Sequence, residues 1–341
     1  MAILSKIKLQ VEQKLPFALY VLPNQNTICG IFQKDYSIFD FKGQSGFVFA
    51  SFDGSKKNVI PSESSDFIKE KFSFDEVIQT EVLMNYSVNE KKNFEDVVQK
   101  AITSIQNGDF KKVVLSRKIE IEKKMDLVET FFTLVNQYPT AFRSLFYHPQ
   151  IGCWMGATPE QLIKVEHNHF KTVSLAGTYQ KNSFEKWSAK EINEQQIVTD
   201  YILNSLHKEA LSLKVSEPFT VEAGSLVHLK TTISGEVHSI KNTKNIIQNL
   251  HPTPAVCGFP KEKALQFINE NEDYDRKFYA GYLGLWNEEE ASANLFVNLR
   301  CLEVEENKIN IYVGCGITGE SNPEKEFFET EHKAQIMKSI L

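Results

Sequence analysis

Two stretches of this chain set carboxylates at helical spacing beside bases. In Lys190-Glu191-Ile192-Asn193-Glu194-Gln195, Glu191 and Glu194 stand one turn apart, and Val198 and Tyr201 carry that face into apolar territory. Carboxylates leading into a buried face call for a partner, and a hard cation is the natural one. The second stretch runs from Asn322 to Lys333, NPEKEFFETEHK. There Glu326, Glu329 and Lys333 form a stripe at i, i+3 and i+7, beside a packing face of Phe327, Thr330, Ala334, Met337 and Leu341. Glu324, Lys325 and Glu331 fall elsewhere on that helix. The stripe reads either as a solvated salt-bridge face or as one wall of a ligand site. Asn322 as cap and Pro323 at the first position start the helix. Before it come a strand, Ile309–Val313, and a loop with three glycines, Gly314 to Gly319, which favour the ligand site. Glycines admit a ligand close to the backbone, and a helix N-terminus attracts anions. Glu194 and Glu329, on different helices, would suit octahedral Mg²⁺ once water and substrate oxygens complete the shell.

Three further segments hold polar groups in awkward places. Both strand faces turn apolar immediately after Lys112, in KKVVLSR. Its ammonium either snorkels from a strand end or sits desolvated at a core edge with a lowered pKa, where it can act as a general base. In GATPEQL, Glu160 opens a strand after a Gly/Thr/Pro turn. It is either a solvated turn residue or, if burial raises its pKa, a proton donor. Leu175-Ala176-Gly177-Thr178 ends an apolar strand, and offers either backbone N–H groups and a hydroxyl to a carboxylate or simply a tight corner.

The elements that must position these residues are mostly strands. Phe17–Leu22, Thr27–Phe32 and Gly46–Phe52 are the clearest early ones. A helix is expected from about Phe94 to Gln106, stopped by Asn107-Gly108. Strands follow near 112–121, 144–148, 152–156, 161–166 and 170–175. Helices come next, from about Phe184 to Leu211 and from near Pro260, and then strands near 279–286, 294–302 and 309–313. Strands joined by short turns with helices grouped apart predict an α+β fold with large antiparallel sheets and flanking helices. No repeat or glycine-rich linker marks a boundary, so residues 1–341 read as one domain.

The chain has 341 residues, 42% hydrophobic and 24% charged, the composition of a globular protein with ample length for a core. No run reaches the roughly 18 apolar residues of a membrane span. The lysines scattered through the N-terminus do not make a signal peptide. The five cysteines show no metal-ligand spacing, and reduced thiols in the cytoplasm are expected. No zinc motif occurs among the histidines. A net charge of −6 without a basic stripe argues against nucleic acid. With no long exposed apolar stripe left over, a monomer is expected.

Taken together, these segments resemble the chorismate-utilising enzyme family. The matching stretches are KVVLSR (112–117), GATPEQL (156–162), LAGT (175–178), KEINE (190–194), HPTPAVCG (251–258), FYAGYLG (278–284), NLR (298–300), GCGITGESNPEKEF (314–327) and ETEHK (329–333). They fall in family order over residues 91–341, and the first 90 residues match only as the family's variable N-terminal part. The resemblance implies an anthranilate synthase component I-like fold, Mg²⁺ as cofactor and chorismate as substrate. It implies Glu194 and Glu329 as metal carboxylates, supported by Glu191 and Glu326. Gly177, Thr178 and Lys333 match contacts to the ring carboxylate, and Tyr279, Arg300 and Gly314 contacts to the enolpyruvyl carboxylate. Arg300, at the end of the apolar run Leu295–Leu299, supplies a fork-shaped donor. His228 matches a histidine-leucine segment of the pocket, and Ala255 a position that shapes it. Gln195 departs from the family's frequent histidine, which bears on the tuning of Glu194.

Lys112 selects the subclass the resemblance implies. Ammonia-using members typically carry glutamine there, and water-using members lysine. With Lys112 as base and Glu160 as acid, water would add at C2 as the C4 hydroxyl leaves, turning chorismate into isochorismate for menaquinone or siderophore synthesis. The rivals are salicylate synthase, disfavoured by HPTPAVCG, the ammonia-using synthases, disfavoured by Lys112, and a non-catalytic chorismate-binding protein, disfavoured by the intact acid/base pair.

Overall fold

The computed structural model describes residues 2–73, 86–223 and 226–341. Its strands begin with β1 (Phe17–Val21), β2 (Thr27–Gln33), β3 (Gly46–Ala50), β4 (Lys57–Pro61), β5 (Ser65–Lys71) and β6 (Lys112–Glu122). They continue as β7 (Phe142–His148), β8 (Gly152–Thr158), β9 (Gln161–Glu166), β10 (His169–Gln180), β11 (Ala210–Val215) and β12 (Phe219–Ala223). The last are β13 (Leu226–Val237), β14 (Gly258–Phe259), β15 (Tyr282–Asn287), β16 (Ser292–Val297), β17 (Cys301–Val304) and β18 (Lys308–Ile317). The helices are α1 (Ala2–Glu12), α2 (Val88–Gln106), α3 (Leu127–Gln137), α4 (Ala189–Leu206), α5 (Ile240–Leu250), α6 (Lys261–Asn271) and α7 (Pro323–Lys338).

The strands form two sheets in which the pairings are antiparallel. One has the order β14-β6-β18-β17-β8-β7-β1-β2-β5, the other β11-β13-β10-β9-β16-β15-β3-β4, with β12 added to β13. Rings from both sheets interleave between them: Phe49 of β3 lies 4.4 Å from Phe146 of β7, and Phe142 of β7 stacks on Phe296 of β16 at 4.2 Å. On another face of the first sheet, α1, α3 and α7 bury Ile7, Phe131 and Met337 against Leu145, Met155 and Ile311. Burying apolar side chains on both faces is why its strands read as nearly continuous hydrophobic runs.

Two sheet-to-sheet crossings lie side by side. The chain passes from β8 to β9 through Pro159 and Glu160, and from β16 to β17 through Asn298, Leu299 and Arg300. The Ala157 N–H donates to the Arg300 carbonyl at 3.0 Å, and the Val297 N–H to the Glu160 carbonyl at 2.9 Å. Arg300 turns the corner with φ of +47°, a left-handed conformation uncommon outside glycine.

Several expected elements are corrected. The apolar run 294–302 is two strands in different sheets, because a run buried in both cannot reveal the corner between them. Gly314, Cys315 and Gly316 belong to strand β18, not to a loop, and β18 pairs with β6 through Ile317. The helix expected from Phe184 begins at Ala189 after a Ser188 cap, while Phe184, Trp187 and Tyr179 cluster ahead of it. That helix ends at Leu206, and Ala210–Val215, whose apolar residues alternate, pairs with β13. Helix α2 starts at Val88, earlier than Phe94, because Ser87 and Glu90 form a capping box. Helix α1 was not expected, although Ile3, Ile7 and Gln10 are buried at helical spacing.

Helix α7 is fastened to β6 by a buried charge pair that the sequence reading left out. Glu331 is fully buried and accepts from Arg117 Nη2, while Arg117 Nε donates to Thr330 Oγ1 at 2.8 Å and its guanidinium lies over the Phe327 ring. Lys338 Nζ lies 3.2 Å from the other Glu331 oxygen. Arg117→Ala would strand most of a buried negative charge. It should cost roughly 3 kcal/mol in urea unfolding, the low end for a broken buried pair because Lys338 remains. A loss below about 0.5 kcal/mol would show that the pair does not hold α7.

Candidate functional site

The crossings and the β6–β18 pair enclose a cavity of about 150 Å³. It is lined by twelve residues singled out from sequence: Lys112, Glu160, Gly177, Glu191, Glu194, His228, Ala255, Tyr279, Arg300, Gly314, Glu329 and Lys333. Glu326 is buried one turn before Glu329 but is not among the lining residues. The side chain of Thr178 lies outside the described residues; its backbone pairs with His228 next to a bulge at Gly177. Tyr312, which sequence reasoning passed over, also lines the cavity, as does Gly316 of the expected glycine loop.

Lys112 opens β6 and is 1% exposed. Its Nζ lies 2.7 Å from Glu194 Oε1. Of the two expected placements Lys112 takes the buried one, but it is ion-paired there, because α4 carries Glu194 to the end of β6. Gly316 makes this possible: a Cβ there would sit 2.7 Å from Glu194 Oε1 and 3.1 Å from Lys112 Cε. Glycine at 314 likewise clears Tyr279, whose hydroxyl would be 2.9 Å from a Cβ. The glycines thus serve neighbouring side chains that lie across a strand.

Lys333 donates to the Gly314 carbonyl at 2.9 Å and to Glu329 at 2.8 Å. Burial works against its charge, but the Glu329 carboxylate outweighs burial and holds its pKa above the usual lysine value. Glu191 accepts from Tyr179 at 3.2 Å and from the Ser188 hydroxyl. A Cβ at Gly177, with φ of +72°, would press on the Glu191 stem at 3.0 Å. Glu329 and Lys333 of the charged stripe of α7 thus line the cavity, while Glu326 does not.

Glu160 lies in the β8–β9 crossing. Burial pushes its carboxyl up to about 7, against the pull of Lys112, Lys333 and Arg300. The Arg300 guanidinium, half-buried in the neighbouring crossing, is held below its usual pKa by desolvation, which Tyr138 and Glu160 oppose. His228 Nδ1 lies 3.1 Å from the Gly177 carbonyl, which requires the Nδ1–H tautomer. Burial, with Arg300 adding to it, pushes this imidazole down to about 4, so it is neutral at pH 7. Gln195 faces away from the cavity, donating to Thr231 at 2.7 Å and Thr199 at 2.9 Å, and pins α4 to β13.

Oxygen donors from two helices line the cavity, Glu191 and Glu194 from α4 and Glu329 from α7. That donor set fits a hard divalent cation. Among the described residues no three such side chains are gathered closely enough to grip an ion unaided. Glu194 and Glu329 are paired with lysines instead.

A family model described as chorismate binding enzyme matches residues 54–341. The isochorismate synthase of Escherichia coli (strain K12) is 30% identical over 274 residues, 76% of this chain and 69% of that one. A Bacillus anthracis structure described as a 2,3-dihydroxybenzoate-specific isochorismate synthase superposes with a TM-score of 0.81 at 23% identity, covering 98% of this chain and 99% of the other. Anthranilate synthase component I of Streptococcus pneumoniae TIGR4 superposes at 0.70 with 18% identity, covering 89% and 83%. The fold is therefore shared by proteins named for different reactions.

The Glu160 carboxyl should titrate near pH 7 in a ¹³C-edited NMR or difference-infrared experiment, using Glu160→Gln to assign the band. Arg300→Gln removes a positive charge that favours the carboxylate, so it should move the midpoint upward. A wild-type midpoint in the ordinary range, about 4 to 5, would show that the crossing does not desolvate the group.

Proposed function

This chain belongs to the chorismate-binding enzymes, and on that footing we propose that it is an isochorismate synthase. The observation that carries the reading is the pairing, in one cavity, of a buried lysine amine with a carboxyl whose pKa burial raises to about 7. A protein that only bound chorismate would have no use for that pair. Lys112, rather than the glutamine typical of ammonia-using relatives, supports water as the nucleophile.

In this reading the Lys112 amine takes a proton from water as its oxygen bonds to C2 of chorismate. The ring double bonds shift, the C4–O bond breaks, and Glu160 delivers the proton with which that hydroxyl leaves as water. Substrate and product are isomers, and the two proton transfers balance. Glu160 can serve as the acid near neutral pH because burial raises its carboxyl to about 7. Arg300 and Tyr279 hold the enolpyruvyl carboxylate, and Gly177, Thr178 and Lys333 receive the ring carboxylate, with neutral His228 fixing the Gly177 carbonyl. Ala255 bounds the ring. Glu194 and Glu329 would hold Mg²⁺, supported by Glu191 and Glu326, and the bound cation would neutralise and orient the ring carboxylate. With Glu194 engaged by such a cation, Lys112 would be free to face water.

Purified protein given chorismate and Mg²⁺ without ammonia should make isochorismate, and EDTA should stop it. Salicylate with pyruvate, or anthranilate when ammonia is supplied, would replace this reading with one of its rivals. Lys112→Gln should leave chorismate affinity and cut the rate by about 10²–10⁴-fold, the usual size of a general-base contribution. The rate should fall as pH rises through about 7, since Glu160 must carry its proton, and Glu160→Gln should lose that limb. Near wild-type turnover by Lys112→Gln would remove the case for a water-using enzyme.

A further inference from the structure

Beside the cavity, outside its lining residues, lies a third buried charge pair. Arg276 and Glu272 are 2% and 3% exposed at their side chains. Four of the five guanidinium N–H donors are accounted for. Nε and Nη2 grip the two Glu272 oxygens at 2.7 and 2.5 Å. Nη2 also donates to the Val114 carbonyl at 2.7 Å, and Nη1 to the Val256 carbonyl at 3.1 Å. Glu272 in turn accepts from the Ser116 N–H at 2.7 Å and the Ser116 hydroxyl at 2.9 Å. The Arg276 carbonyl accepts from the Tyr279 N–H at 2.8 Å.

Val114, Val256 and Tyr279 all line the cavity. Lys112, Val114 and Ser116 alternate along β6 and so share one face of it. Through one fork the pair therefore fixes the strand that begins with Lys112, the wall containing Ala255 and Val256, and the turn that presents Tyr279. We infer that Arg276, seated on Glu272, is a positioning residue that sets the spacing between the β6 and Val256 walls and thereby governs how tightly substrate is held. Lysine cannot replace it. Its three donors share one nitrogen, which cannot reach Glu272 and two carbonyls on different segments at once.

This inference rests on the proposed function, since it concerns the chorismate-holding wall, and its test separates the two. Wild type, Arg276→Lys and the double variant Arg276→Met/Glu272→Met are compared for thermal midpoint, KM and kcat with chorismate and Mg²⁺. The double variant removes both charges together, a replacement that buried pairs often tolerate, and the thermal midpoint reports whether it folds. Loosening the wall while leaving Lys112 and Glu160 in place should raise KM about tenfold or more in both variants, with kcat changed less than about threefold, the loss expected for disturbed binding contacts. Variants that fold and keep the wild-type KM would overturn the inference, as would a loss confined to kcat or to the folded fraction. A wild-type protein that leaves chorismate unchanged would instead overturn the function on which the inference stands.

Discussion

The site depends on two neighbouring peptide segments changing sheets at the same place. The β8–β9 and β16–β17 crossings are tied by one hydrogen bond from each to the other's backbone. Side chains inside a sheet alternate between its faces, so a group that must point along the gap between sheets needs a break in both. Glu160 and Arg300 stand at those breaks. Their mutual proximity comes from backbone bonds rather than from their own attraction, and so the carboxyl can be desolvated beside a guanidinium without being ionised by it. The left-handed backbone of Arg300 is the strain that this placement demands, and strain at a non-glycine corner collects at functional positions.

The rest of the fold holds this gap at a fixed width while keeping charges buried. Three ion pairs share the work along β6. Lys112 meets Glu194 at the cavity end, the Ser116 backbone meets the Arg276–Glu272 pair, and Arg117 meets Glu331 of α7 on the opposite face. Buried pairs are a weak source of net stability, because desolvation consumes most of their attraction. Each instead ties β6 to a different helix or loop: α4, the segment after α6, and α7. One strand thereby sets the relative positions of the acid-bearing helices.

Much of the site was legible from sequence because its residue types are chemically conspicuous. Carboxylates at i and i+3 leading into an apolar face, or a lysine before an apolar run, are departures from ordinary patterning, and the structure gathers them around one cavity. The errors share a physical cause. Glycines at 314 and 316 looked like a loop because the side chains that justify them belong to residues 279, 112 and 194, distant in sequence. The two strands within 294–302 looked like one because both are buried, which erases the period that would betray a corner. Glu331 was given no role because its partner, Arg117, lies on a strand more than two hundred residues earlier. Arg276 and Glu272 did carry a local signal, opposite charges at i and i+4 just before the FYAGYLG segment. What they hold, two backbone carbonyls on other segments, has no trace in side-chain pattern.

The lysine pairing of the acids bears on the order in which ligands can arrive. With Glu160 protonated and His228 neutral, the described cavity lining carries Glu191, Glu194 and Glu329 against Lys112, Lys333 and Arg300, so its charges cancel. A dicarboxylate entering alone would leave two negative charges in excess in a place poorly served by solvent, and a divalent cation alone would leave two positive ones. Together they restore the balance. Under the proposed function each ligand would then strengthen the other's binding, and by the same factor in both directions, since the coupling free energy belongs to the ternary complex and not to either partner. Affinity for the organic anion should accordingly be a property of the cation concentration at which it is measured, and the reverse.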